Sequence, residues 1–157
     1  MHEQLISLMA ENEEAISQLY RTYARTFPPY QVLWDELAQE EIQHAGWIRK
    51  LGLKAQEDLN LFITEKRFPA EAVKTFTRYV QREMERAKTG ELTLKEALVA
   101  TVYIEESAIE HKFFEIFESD SVELKHVLLN LYDATRKHRD KARAALAKLK
   151  QTEYQGF

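Results

Sequence analysis

The sequence predicts an all-α fold, and three observations carry that prediction. Only four glycines and three prolines occur in 157 residues, so breaks in regular structure are few. Apolar residues recur at the three-to-four spacing of a helix over long segments. Helix-capping signals stand at the points where those segments begin and end. The 45% hydrophobic and 31% charged composition fits one globular helical domain spanning residues 1–157.

The first half of the chain contains two predicted core helices. The first covers about 3–26 and ends before Pro28-Pro29, because proline cannot continue a helix. The second covers about 30–51, with Gly52 at its expected C-terminus. The following stretch, 54–68, lacks helical periodicity and is expected to be a connector.

The second half contains a connector helix and two further core helices. Pro69 precedes an amphipathic segment predicted as a helix over about 70–88. Thr93 and Glu96 form a capping-box pattern, which predicts the start of a helix that covers about 93–117. The last helix is expected over about 121–150.

Composition and charge exclude several classes of function. The net charge of −4 provides no basic surface for nucleic acid. The absence of cysteine excludes disulfides, thiolate catalysis and Cys-ligated metal centres. The N-terminus lacks the features of a signal peptide, and the longest apolar run, Ala97–Ile104, is too short to cross a bilayer. We therefore expect no membrane partner and a cytoplasmic location.

A Glu-x-x-His pair in the second helix is the first candidate for chemistry. Glu41 and His44 lie one turn apart, on the same helix side as the apolar residues Trp34 and Leu37. A carboxylate in a core is costly unless it is compensated, and a bound cation would compensate it. The alternative is a partly buried polar pair or a solvent-exposed helix face. The preceding Glu40 is expected to be an ordinary surface charge.

A faint internal repeat suggests where further ligands lie. A shift of 94 positions places the second helix on the last one, so that His44 matches His138 and Glu41 matches Thr135. A shift of 93 places the first helix on the fourth and matches Glu13 with Glu106. The candidate metal ligands are Glu13, Glu41, His44, Glu106 and His138, with Glu105 as an alternative to Glu106.

These motifs resemble the ferritin-like superfamily, and most closely its rubrerythrin-like di-iron carboxylate proteins. The resemblance is carried by Glu13 with Tyr20, by the LAQEEIQHA and IEESAIEHKFF runs, and by LYDATRKH ending at His138. It covers the four core helices. It implies an up-down-down-up four-helix bundle, with the additional helix 70–88 in the long central connection.

The resemblance also implies a set of ligands for iron, either one or two ions, although another transition metal would suit the same residues. Glu13 and His44 would bind one iron, Glu106 and His138 the other, and Glu41 would bridge them. This sequence departs from the family pattern at Thr135, where the pattern has a second bridging glutamate.

The implied activity is that of a di-iron or mono-iron oxidoreductase, peroxidase-like, acting on peroxide or O₂. With no cysteine for a rubredoxin-like centre, such an enzyme would need an external electron donor. Two alternatives stay open: non-catalytic iron binding or storage, and a metal-free helical structural or interaction module, which Thr135 favours. Exposed apolar positions on the connector helix would suit a homodimer interface.

Overall fold

The fold is all-α, as predicted. The computed structural model describes residues 2–57, 61–63, 70–107, 117–119 and 122–155. Within those residues there are five α-helices: α1 (His2–Thr26), α2 (Gln31–Glu57), α3 (Ala70–Lys88), α4 (Leu94–Glu106) and α5 (Val122–Gln155). A short 3-10 helix, Pro28–Tyr30, joins α1 to α2 at the predicted proline break.

Two three-residue strands form a small antiparallel pair. β1 (Leu61–Ile63) follows α2, and β2 (Phe117–Ser119) precedes α5. Leu61 lies opposite Ser119 and Ile63 opposite Phe117. The pair therefore joins the connection after α2 to the segment that leads into α5.

The helices pack mainly as α1 against α2 and α3, and as α4 against α5. The apolar core has two clusters along the α1–α2 pair. One cluster includes residues 5–10 of α1 and 45–51 of α2. The other includes residues 16–24 of α1 and 34–38 of α2. Between the two clusters, both helices place buried polar residues inward instead. The core is thus interrupted at one position along its length.

The capping box predicted at Thr93 is confirmed. The Thr93 hydroxyl accepts a hydrogen bond from the Glu96 backbone N–H at 3.2 Å, and the Thr93 N–H donates to Glu96 Oε2 at 2.8 Å. Two donors that would otherwise lack partners at the first turn are satisfied, so α4 begins where the sequence indicates.

The C-terminus of α4 corrects the expected boundary at Phe117. The helix ends at Glu106, where Ser107 turns to an extended conformation and its hydroxyl donates to the Ile104 carbonyl oxygen at 2.7 Å. Ser107 therefore satisfies an end carbonyl that continued helix would otherwise use. Phe117 belongs to β2, and residues 108–116 lie outside the described part of the chain.

Gly52 does not terminate α2, which continues to Glu57 and takes up the start of the predicted irregular connector. The glycine instead permits a close approach between helices. A Cβ at this position would lie 2.7 Å from Ile6 Cγ2. Ile6 is a buried, β-branched residue of the first apolar cluster, so it has little freedom to move away.

The connector helix α3 has the predicted bounds, and its apolar face is buried. Val73, Phe76 and Val80 are buried within the chain, on a helix that packs against α1. These residues therefore belong to the core of the chain, and a homodimer through other positions of this helix stays a prediction. Within the described residues, no helix is both long enough and apolar enough to cross a bilayer.

We predict that Gly52→Ala destabilises the protein by about 1–3 kcal/mol, because the added methyl group overlaps Ile6. Gly46→Ala is the matched control in the same helix, since a Cβ there meets nothing within 4 Å. That change should stabilise by roughly 0.5–1 kcal/mol through helix propensity. Urea unfolding of both variants measures the difference, and equal effects would contradict the close approach.

Candidate metal site

Five ionisable side chains from four helices meet between the two apolar clusters. Glu13 comes from α1, Glu41 and His44 from α2, Glu105 from α4 and His138 from α5. All five are buried, with exposed fractions of 3% or less. The helices therefore bring four of the predicted ligands together, with the alternative Glu105 as the fifth member.

Glu41 lies between the two imidazoles. Its Oε2 is 3.2 Å from His44 Nδ1, and its Oε1 is 3.3 Å from His138 Nδ1. The two rings stack with centroids 5.0 Å apart and planes inclined by 17°. One donor atom from each of the three residues lies within 4.8 Å of the others, so this buried cluster can hold a metal ion.

The other two carboxylates lie beside different imidazoles. Glu13 Oε2 is 3.6 Å from His44 Nδ1, and Glu105 Oε2 is 3.9 Å from His138 Nδ1. The Tyr20 hydroxyl donates a 2.5 Å hydrogen bond to Glu105 Oε1. Tyr20, which is fully buried on α1, therefore anchors Glu105.

Several buried polar atoms of the cluster are without a hydrogen bond in the part of the chain that the structure describes. Both carboxylate oxygens of Glu13, Oε1 of Glu41 and Nδ1 of His138 lack a hydrogen-bond partner among the described residues. Glu41 Oε1 and His138 Nδ1 are close, but their orientation is not that of a hydrogen bond. Polar atoms buried in this way are costly. A shared cation would satisfy them, so the residues fit a metal.

The carboxyl groups respond oppositely to their surroundings. Burial, reinforced by the negative charge of Glu41, raises the pKa of Glu13 well above its ordinary value. Burial also opposes ionisation of Glu41, but the charge of His44 and the nearby polar groups of Glu13 and His138 outweigh it and lower the pKa of Glu41. Without a cation, the proton of this pair therefore resides on Glu13.

Glu40 contacts the site from the outer side, although the sequence suggests a plain surface charge. Its Oε2 contacts His138 Nε2, and its Oε1 lies 3.4 Å from Lys141 Nζ. With Nε2 against Glu40, the His138 ring turns its Nδ1 toward Glu41. No local sequence pattern marks this role, because only the packing of α5 beside α2 brings Glu40 to His138.

Glu106, the sequence-based choice on the fourth helix, does not reach the cluster. It lies at the surface and contacts Arg143, while Glu105 is fully buried. Successive residues differ by about 100° around a helix, so two neighbouring acids cannot both face the core. The repeat favours Glu106 because a shift of 93 positions matches it with Glu13. The buried acid of α4, Glu105, instead lies 92 positions after Glu13.

Thr135 occupies the buried position that the repeat assigns to it. Its exposed fraction is zero, and it lies one turn before His138 on α5. The inward face of α5 therefore carries an uncharged hydroxyl where α2 carries the Glu41 carboxylate.

We predict that Glu13→Gln stabilises the metal-free protein at pH 8 and that the gain disappears near pH 4.5. The folded state holds the Glu13 proton while the unfolded state releases it above its ordinary pKa of 4.5, so wild-type stability falls as pH rises. Glutamine has no proton to lose, and the gain should be on the order of 1 kcal/mol. Denaturant unfolding in the presence of a chelator measures it. The exposed Glu11→Gln should show no such pH-dependent gain.

We also predict that Glu40→Gln weakens metal binding about tenfold, because it removes the charge that orients His138. The control is Glu36→Gln, one turn away on α2. Glu36 also faces Lys141, with Oε2 3.8 Å from Nζ, but the structure gives it no contact with His138. Competition with a chromophoric chelator compares the affinities. Equal losses in the two variants would mean that only surface charge matters.

Neither protein-family models nor curated proteins match the sequence, and no solved structure matches the fold.

Proposed function

We propose that this chain is an iron-binding, rubrerythrin-like protein of the ferritin-like superfamily and that it reduces peroxide or O₂. The observation that supports the proposal most directly is the buried Glu41–His44–His138 cluster, whose donor atoms converge. Mixed imidazole and carboxylate donors suit iron, and the same donors also suit other transition metals. In this proposal the helices α1, α2, α4 and α5 form the up-down-down-up bundle, and α3 lies in its central connection.

In this proposal the protein side chains bind the iron and fix its position. Glu41, His44 and His138 provide the central donors, with Glu13 and Glu105 adjacent. A bound iron ion with an open coordination position would supply the redox change for O₂ or peroxide reduction. The apolar clusters on either side exclude bulk water.

The electrons in this proposal come from a separate protein or small reductant. Reduction of hydrogen peroxide to two water molecules consumes two electrons and two protons. The sequence has no cysteine, so it offers no Cys-ligated iron to deliver electrons within these residues. An external donor is therefore part of the proposal.

A second candidate is a metal-free structural or interaction module, and Thr135 is the observation that favours it. The fully buried threonine replaces one of the charges that a four-carboxylate site would have. In that case the protonated Glu13, the Glu41–imidazole contacts and the contacts of Tyr20 and Glu40 would have to stabilise the buried cluster without a cation.

The proposal predicts that protein incubated aerobically with Fe(II), then desalted, retains iron and consumes peroxide when a chemical reductant is present. Glu41→Gln should lose the iron, because it removes the central charged donor. Glu106→Gln is the matched control and should keep it, since Glu106 lies at the surface. Metal analysis of the three proteins checks this.

Metal-free wild-type protein after that incubation would contradict iron binding and favour the module. Retained iron without peroxide consumption would instead indicate non-catalytic iron binding or storage.

A further inference from the structure

We infer that the site holds a single transition-metal ion, bound by Glu41, His44 and His138, and that Thr135 keeps a second ion from binding. The inference rests on the proposed metal-binding function and narrows it from one or two ions to one. It departs from the two-metal site that the resemblance to rubrerythrin-like proteins implies.

The first argument is the convergence of three donors on one space. Their ligand atoms lie within 4.8 Å of one another. Donors of a common ion, each roughly 2.0–2.2 Å from it, are up to about 4.4 Å apart, so small side-chain rotations suffice. Two imidazoles with one carboxylate are also the donor set of mononuclear non-haem iron sites that retain open positions.

The rival arrangement uses the same residues for two ions. One ion would lie between Glu13 and His44, the other between Glu105 and His138, and Glu41 would bridge them. Paired metal ions stand about 3.5–4 Å apart and repel each other, and in carboxylate bundles four glutamates offset that charge. Here the only charged bridge between the two halves would be Glu41.

The sign of the excess charge distinguishes the two arrangements. Two divalent ions carry four positive charges, whereas Glu13, Glu41 and Glu105 supply three negative ones in a site that is almost fully buried. Excess charge in such a site is strongly unfavourable. The position that would supply the fourth carboxylate is Thr135, which is buried and uncharged.

A single ion leaves one negative charge in excess instead of one positive charge, and the carboxylate that carries it has a hydrogen-bond donor. Glu41 and Glu13, when both are ionised, match the two charges of one divalent ion. Glu105 has a separate source of stabilisation, because the Tyr20 hydroxyl donates to it at 2.5 Å. Each buried carboxylate of the cluster therefore has a compensating partner without a second metal ion.

The test is titration of the metal-free protein with Mn(II), and anaerobically with Fe(II), followed by metal analysis and electron paramagnetic resonance of the Mn(II) sample. We expect one equivalent per chain and the hyperfine pattern of a magnetically isolated ion. Two equivalents, or the spectrum of an exchange-coupled pair, would overturn the single-ion inference while supporting the proposed metal binding. No binding of either metal would overturn both.

Thr135→Glu provides the complementary test. It restores the missing carboxylate and should raise the stoichiometry from one ion to two, with the appearance of a coupled Mn(II) spectrum. Thr152→Glu makes the same substitution at an exposed position of α5 and should leave one isolated ion. Circular dichroism establishes that both variants are folded.

A folded Thr135→Glu that still binds one ion would show that Thr135 does not set the stoichiometry, and would overturn that part of the inference. If this variant does not fold, the wild-type spectrum still decides, because a coupled pair contradicts the inference by itself.

Discussion

The gap in the apolar core, filled by buried acids and imidazoles, is the constraint on which the rest of this structure depends. Above and below it, α1 and α2 pack through ordinary apolar contacts. Within it, three carboxylates and two imidazoles are almost completely removed from water. Desolvation of so many ionisable groups is unfavourable unless protons, hydrogen bonds or a cation compensate them. The surrounding contacts can be understood as that compensation.

Residues outside the central donors Glu41, His44 and His138 also compensate the desolvation of the buried ionisable groups. Tyr20 holds Glu105 from the α1 side, and Glu40 holds the outer nitrogen of His138 from α2. Both contacts fix the orientation of a group that faces the centre, as supporting residues around metal sites commonly do. The distribution is uneven, because Thr135 offers no charge on the inner face of α5. This asymmetry limits the number of metal ions that the buried cluster could hold.

Much of the fold follows from local signals. The Pro28-Pro29 break and the Thr93 capping box act through backbone geometry and adjacent hydrogen bonds, so their positions can be predicted from the residues alone. Gly52 could not be interpreted in this way. A glycine after Arg49 and Lys50 resembles a helix terminus, but its actual role depends on Ile6, far away in the sequence. The end of α4 was also misplaced, since Ser107 gives no strong signal within an apolar, helix-like segment.

The candidate site likewise has features that the sequence predicts and features that only tertiary packing sets. Periodicity and the repeat in the sequence determined that Glu13, Glu41, His44 and His138 lie on inward faces, and that Thr135 is the position that matches Glu41. Only the tertiary structure decided between Glu105 and Glu106, because a one-residue difference rotates a side chain by about 100° and the exact rotation of α4 is set by packing. Only the tertiary structure placed Glu40 against His138 and Tyr20 against Glu105. Those contacts join residues more than 80 positions apart, at distances that no local pattern encodes.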